Sequence, residues 1–189
     1  MMVNRQASSK GKGLIRSLNR KGAKSNKDVP ANVKMGIPPE PSICERCGAV
    51  FSRRTWRRDR KLSDAVMDGA HWTVCPSCQQ VRVGEYFGRV VLRGAFVAAN
   101  EEAIRHRIQN VAARAEFTQP QRRVVSVEPD SSGLEVLTTS QKLAHRIVHE
   151  LKKAFRGHAS YSWSDRDGTL FAKWERDDVP APKVTRGRR

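Results

Sequence analysis

The spacing of four cysteines constrains this chain more than any other feature. They form two pairs, Cys44-Glu-Arg-Cys47-Gly48 and Cys75-Pro-Ser-Cys78, with 27 residues between the pairs. Thiols three positions apart can face one ion from a single tight turn, whose backbone N–H groups point at the sulfurs. Two such turns supply the four soft, tetrahedral ligands that zinc prefers. Gly48 permits the positive φ that such a turn needs, and Pro76 stiffens the second turn. The pattern predicts one structural zinc ion on Cys44, Cys47, Cys75 and Cys78. A shell of four cysteines is closed and leaves no open catalytic position. Free thiols, two redox pairs or an iron–sulfur centre are the other chemistries open to these residues. A redox Cys-x-x-Cys belongs at the head of a helix in a βαβ context, which this sequence does not suggest. His71, near the second pair, reads as a surface or core histidine, with a ligand role as its alternative.

Charge sets the second constraint. The 189 residues carry a formal net charge of +17, and it is unevenly spread. Residues 1–36 hold nine Lys/Arg against one acid, residues 37–123 fifteen against nine, residues 124–178 eight against nine, and the last eleven four against none. Such asymmetry points to a polyanion, nucleic acid before an anionic membrane surface. No apolar run approaches the roughly 20 residues of a membrane span. The basic N-terminus lacks the apolar stretch of a secretory signal. The expectation is a soluble cytoplasmic protein.

The sequence reads as an α+β chain in five segments. Residues 1–41 form a disordered basic arm and a Pro-rich link, too poor in large apolar residues to offset ordering entropy. Residues 42–97 form a zinc-ribbon-like four-cysteine module that ends in short strands around Val81–Leu92. Residues 98–121 hold a connecting helix, with Asn100 as N-cap and a stripe of Ile104, Ile108, Val111, Ala112 and Ala115. Residues 122–178 form a small ββαββ domain. It contains a hairpin turning at Asp130–Gly133, a helix capped by Thr138 and Gln141, and two further strands separated by a turn at Asp165–Gly168. The helix buries Leu143, Ala144, Ile147, Val148, Leu151 and Phe155. Residues 179–189 are a basic tail.

Between the cysteine pairs lies a dense basic run. Arg53, Arg54, Arg57, Arg58, Arg60 and Lys61 are candidate phosphate contacts, because guanidinium groups offer paired donors without losing charge. Trp56 is the candidate for stacking on an exposed base. A solvated charge run with Trp56 in a local core is the plainer alternative. Lys10, Lys12, Arg16, Arg20, Lys21, Lys24 and Lys27 of the arm would add nonspecific phosphate affinity. Tyr161, Trp163, Phe171 and Trp174 read as core or sheet-face residues. His145 and His149 share a helix face but lack a local carboxylate to complete a metal site. No Walker loop, Gly-x-Ser-x-Gly or His-Glu-x-x-His motif is present, and the chain reads as a non-enzyme without a small-molecule substrate.

The two cysteine pairs, together with Gly133-Leu-Glu-Val-Leu-Thr-Thr-Ser-Gln-Lys-Leu-Ala-His145, resemble the N-terminal part of the nonsense-mediated-decay-protein-three family, export adaptors of the large ribosomal subunit. Short bacterial proteins share this layout. The resemblance spans about residues 42–176. The family has more cysteine pairs, and its later domains and export signals have no counterpart here. The resemblance implies a zinc-ribbon region and an α+β domain that bind the large ribosomal subunit, its proteins or its RNA. It does not imply nuclear export. The expected function is zinc-dependent RNA binding at the ribosome, in assembly, quality control or dormancy. A DNA-binding or transcription-associated zinc ribbon, and an adaptor for acidic proteins, are the alternatives.

Overall fold

The computed structural model describes residues 36–58 and 60–178. The tail expected at 179–189 and nearly all of the arm lie outside the described residues. The chain is a mixed α+β protein with two sheets and, among the described residues, five α-helices.

The first sheet is small. It consists of β1 (Ser42–Cys44), β2 (Val50–Ser52), β3 (Thr55–Arg57) and β4 (His71–Thr73), in the order β3-β2-β1-β4. β1 runs antiparallel to β2 and parallel to β4. All three β1 residues are buried. Helix α1 (Arg60–Val66) and a 3₁₀ turn (Met67–Gly69) return the chain to β4. Helix α2 (Pro76–Val83) follows at once, with Pro76 at its first position, where the missing N–H costs nothing. Strands were expected to begin near Val81. Instead the helix runs to Val83, and Gly84 closes it at φ 70°.

The second sheet carries the main core. It contains β5 (Gly88–Arg93), β6 (Val124–Asp130), β7 (Gly133–Thr138), β8 (His158–Trp163) and β9 (Leu170–Glu175), in the order β6-β7-β5-β9-β8. Helices α3 (Ala95–Ala99), α4 (Glu101–Thr118) and α5 (Gln141–Phe155) complete the unit. The expected ββαββ run is present as β6, β7, α5, β8 and β9, but the sheet has five strands. Its central strand, β5, comes from the segment that the sequence reading grouped with the cysteines. β5 pairs antiparallel with β7 and parallel with β9, so that Val90 faces Val136 on one side and Ala172 on the other. The alternation Arg-Val-Val-Leu-Arg explains this placement: Val90 and Leu92 are fully buried in the same core as Leu134, Val136, Ala172 and Trp174. The helix expected as a connector belongs there too. Ile104, Ile108, Val111 and Ala115 of α4 are buried in that core. Helix α5 lies close over the sheet. A Cβ on Gly88 would fall 2.4 Å from Thr138 Oγ1 and 2.5 Å from Ala144 Cβ.

Two helix starts differ from expectation. Thr138 is buried in β7, with its hydroxyl 2.9 Å from the Ser140 carbonyl and 3.3 Å from that of Gly88. Ser140 caps α5 instead, its Oγ accepting from the Leu143 N–H at 3.3 Å. Asn100 does stand at the start of α4, but its amide donates backwards to the Phe96 carbonyl at 3.0 Å. Of the four aromatic residues read as core or sheet-face, Trp174 is fully buried and Tyr161 packs at the core edge. Trp163 (45% exposed) and Phe171 (37%) face outward. Among the described residues no helix is long and apolar enough to cross a membrane.

Candidate metal centre and basic hairpin

The two distant cysteine pairs converge. One ligand atom from each of Cys44, Cys47, Cys75 and Cys78 lies within 4.8 Å of the others, and three of the four residues are buried. The chain arrives there by two different local structures. Cys44 ends β1, and Cys44–Gly48 form a tight knuckle: the Gly48 N–H donates to the Cys44 carbonyl (2.9 Å) and the Cys44 N–H to the Ala49 carbonyl (2.8 Å). Gly48 adopts φ 67°, as the spacing predicts. The second pair is not a matching knuckle. Cys75 is the N-cap of α2 and Cys78 lies in its first turn. The positive end of the helix dipole thus faces the sulfurs. The Cys75 N–H also donates to Cys44 Sγ at 3.3 Å, joining the two pairs. Ala49, Val74 and Trp56 pack around the cluster.

Thiols this close influence one another's ionisation. Cys47 and Cys75 lie 3.8 Å apart, sulfur to sulfur. The hydrogen bond from Cys75 holds the Cys47 thiol down at about 4, against the effect of burial. That contact, and then burial, push Cys75 up. Burial raises Cys78 to about 11. Four thiolates cannot coexist here without a cation between them, and a soft dication supplies that compensation. The four cysteines can hold one metal ion such as zinc. His71 is exposed on β4 and is not among the clustered ligands.

Compared with known proteins, the chain matches no family model and no curated protein.

Sequence reasoning missed a second layer around the cluster. Arg123, just before β6, donates from Nη1 to Cys78 Sγ at 2.8 Å. Its Nη2 pairs with Glu116 of α4 at 3.0 Å. Burial works against the charge of Arg123, but Glu116 and the neighbouring sulfurs outweigh it and hold it firmly protonated. Arg58 meets the same carboxylate at 2.8 Å and also reaches the Cys47 carbonyl at 3.3 Å. Glu116 therefore anchors two guanidiniums, one touching each cysteine pair. The sequence offered one signal, an acid in a strongly basic neighbourhood, but nothing about distance.

The basic run divides in this setting. β2 and β3 form a hairpin whose two-residue turn is Arg53-Arg54. Both residues adopt positive φ, 51° and 58°. Glu40 holds this turn, its carboxylate accepting from the Arg53 N–H (2.9 Å) and the Arg54 N–H (2.7 Å). The side chains of Arg53, Arg54, Arg57 and Lys61 are exposed. Arg58 is tied to Glu116. The side chain of Arg60 lies outside the described residues. Trp56 is half-buried, tilted against Phe51 with ring centroids 5.3 Å apart, and packed on the cysteine cluster. Its remaining surface lines an apolar cleft of about 290 Å³ with Ile37, Pro38, Phe51 and Pro76, and Arg54 stands at the same cleft.

Proposed function

We propose that this chain is a zinc-dependent RNA-binding protein, with one structural zinc ion on Cys44, Cys47, Cys75 and Cys78, and that its partner is ribosomal RNA in the cytoplasm. The role is binding rather than catalysis. The zinc module would present the β2–β3 hairpin in one geometry, with proteins of the large ribosomal subunit as neighbouring partners.

One observation carries the RNA reading. Arg53 and Arg54 occupy the left-handed region in a two-residue hairpin turn, where Asn-Gly or Gly-Gly is the usual choice. The left-handed conformation costs a residue with a Cβ about 1–2 kcal/mol. Two consecutive arginines at such positions cost stability. That cost makes sense if the side chains are needed where the turn displays them. The Trp56 cleft beside Arg54 fits a base that stacks while its phosphate meets the guanidinium.

The test is the double substitution Arg53→Gly and Arg54→Gly. Glycine suits both positions, so the thermal midpoint of the zinc-loaded protein should hold or rise. Affinity for ribosomal RNA fragments should fall, and its salt dependence should weaken by about the two lost phosphate contacts. Unchanged RNA affinity in this variant would refute the reading. Preferential binding to duplex DNA, or to an acidic protein with no nucleic acid present, would replace it with one of the alternatives.

A further inference from the structure

The near-neutral charge of residues 124–178 conceals a polarised surface. On the open face of the second sheet the cations are matched by acids: Arg89 pairs with Glu135, Arg93 with Asp130 and Lys173 with Glu175. The outer face of α5 is different. Lys142, Arg146, His149 and Lys153 follow at intervals of four, three and four residues and so form one line about 16 Å long. His145 and Lys152 flank it on one side. All six are exposed, and among the described residues none of the four Lys and Arg pairs with a carboxylate. The helix's acid, Glu150, is taken by Arg107 of α4 at 2.7 Å.

A row of rings leads away from this basic line. His145 stacks on Tyr161 of the edge strand β8, with centroids 4.9 Å apart and planes at 28°. Tyr161 in turn stacks on Trp163 at 6.4 Å and 28°. Trp163 ends the row with 45% of its surface exposed.

We propose that the outer face of α5 and the ring row His145–Tyr161–Trp163 form a second RNA surface, one that takes a single-stranded segment. Phosphates run along Lys142, Arg146 and Lys153, and an unpaired base stacks on Trp163. This rests on the RNA reading above and adds a distinct site to it. Charge complementarity selects the occupant. The chain's own terminal segments are basic, so they are repelled. A membrane surface would need the apolar side of α5, but Leu143, Ile147 and Leu151 are buried in the core. An acidic peptide would satisfy the cations but make no use of the indole. A duplex hides its base faces, whereas a single strand offers both phosphates and open rings.

The test uses the full, zinc-loaded chain and a fluorescein-labelled oligouridylate of about 12 nucleotides, within the usual site size of single-strand binders. The triple variant Lys142→Gln, Arg146→Gln, Lys153→Gln should lower the salt slope by about 2, at roughly 0.7 per single-strand phosphate contact. Trp163→Ala should weaken oligouridylate binding by about 5- to 150-fold, the usual worth of one stacked base. It should leave binding to duplex RNA of the same length unchanged. Circular dichroism should show all variants folded, since every altered side chain is exposed. Wild-type affinity in both variants would overturn the proposal. So would equal losses for single strand and duplex, or competition by polyglutamate as strong as by unlabelled oligouridylate. If the wild-type chain binds no RNA, this surface and the hairpin reading fall together. If Arg53→Gly with Arg54→Gly weakens binding while the α5 variants do not, only this surface falls.

Discussion

Replacing Arg123 with Met should loosen the metal without unfolding the chain. The methionine keeps most of the apolar stem and removes the guanidinium that donates to Cys78 Sγ at 2.8 Å. A hydrogen bond to a charged group is worth about 1.5–3 kcal/mol. At 1.4 kcal/mol per decade that is about 10- to 100-fold in metal affinity, which matches the usual cost of losing an outer-layer partner of a metal ligand. Glu116 would keep Arg58 as its partner, so no acid is left unpaired. The assay is competition for zinc against a chromophoric chelator, with Arg122→Met as a charge-matched control that lacks the sulfur contact. A zinc affinity equal to wild type in folded Arg123→Met protein would refute the view that this arginine stabilises a thiolate ligand.

Elemental analysis should find about one metal ion per wild-type chain and none in Cys47→Ser, and the substitution should unfold the β1–α2 segment, read as loss of its amide protection. Metal should be retained at neutral pH and released as pH falls, because each thiolate leaving the ion takes up a proton; zinc release measured along an acid titration checks the sign. Gly88→Ala should destabilise the chain by about 1–3 kcal/mol in denaturant unfolding, because the new methyl meets Thr138 and Ala144. A fragment of residues 122–178 should stay unfolded by amide spectra, since β7 and β9 would lack the strand between them. A fragment of residues 86–178 should give dispersed spectra without zinc.

What the sequence made legible was local. Cysteine spacing predicted the cluster, and the period of Leu143, Ile147 and Leu151 predicted α5 with its buried face. The hairpin at Asp130–Gly133 followed from turn chemistry. What stayed hidden was non-local. The pairing of Val90 with residues 46 and 82 positions away has no signature in either strand. The expected ββαββ domain began at residue 122, a boundary that strand pairing ignores. Trp56 lay among arginines and was open to base stacking or to a local core; Phe51 and the cysteine cluster cover part of it. Thr138 had the right type and spacing for a cap, but burial directs its hydroxyl to the carbonyls of Gly88 on the neighbouring strand and of Ser140. The acid Glu116 in a basic neighbourhood was the one signal of this layer, and its distance from the cysteines stayed hidden, because Arg123 meets Cys78 and Glu116 only through tertiary folding.

The place of β5 at the middle of its sheet has a consequence during synthesis. The cysteine module has all its strands and its four clustered cysteines once Cys78 has left the ribosome, and a metal ion can close it then. β5 follows directly, but its parallel neighbour ends at Glu175. At about 5–20 residues per second, the nascent chain carries Val90 and Leu92 without that neighbour for roughly 5–20 s. Over that interval a central strand behaves as an exposed edge, open to pairing with any other chain. The flanking Arg89 and Arg93, whose later partners are Glu135 and Asp130, put charge at both ends of the Val-Val-Leu run for the whole of that wait.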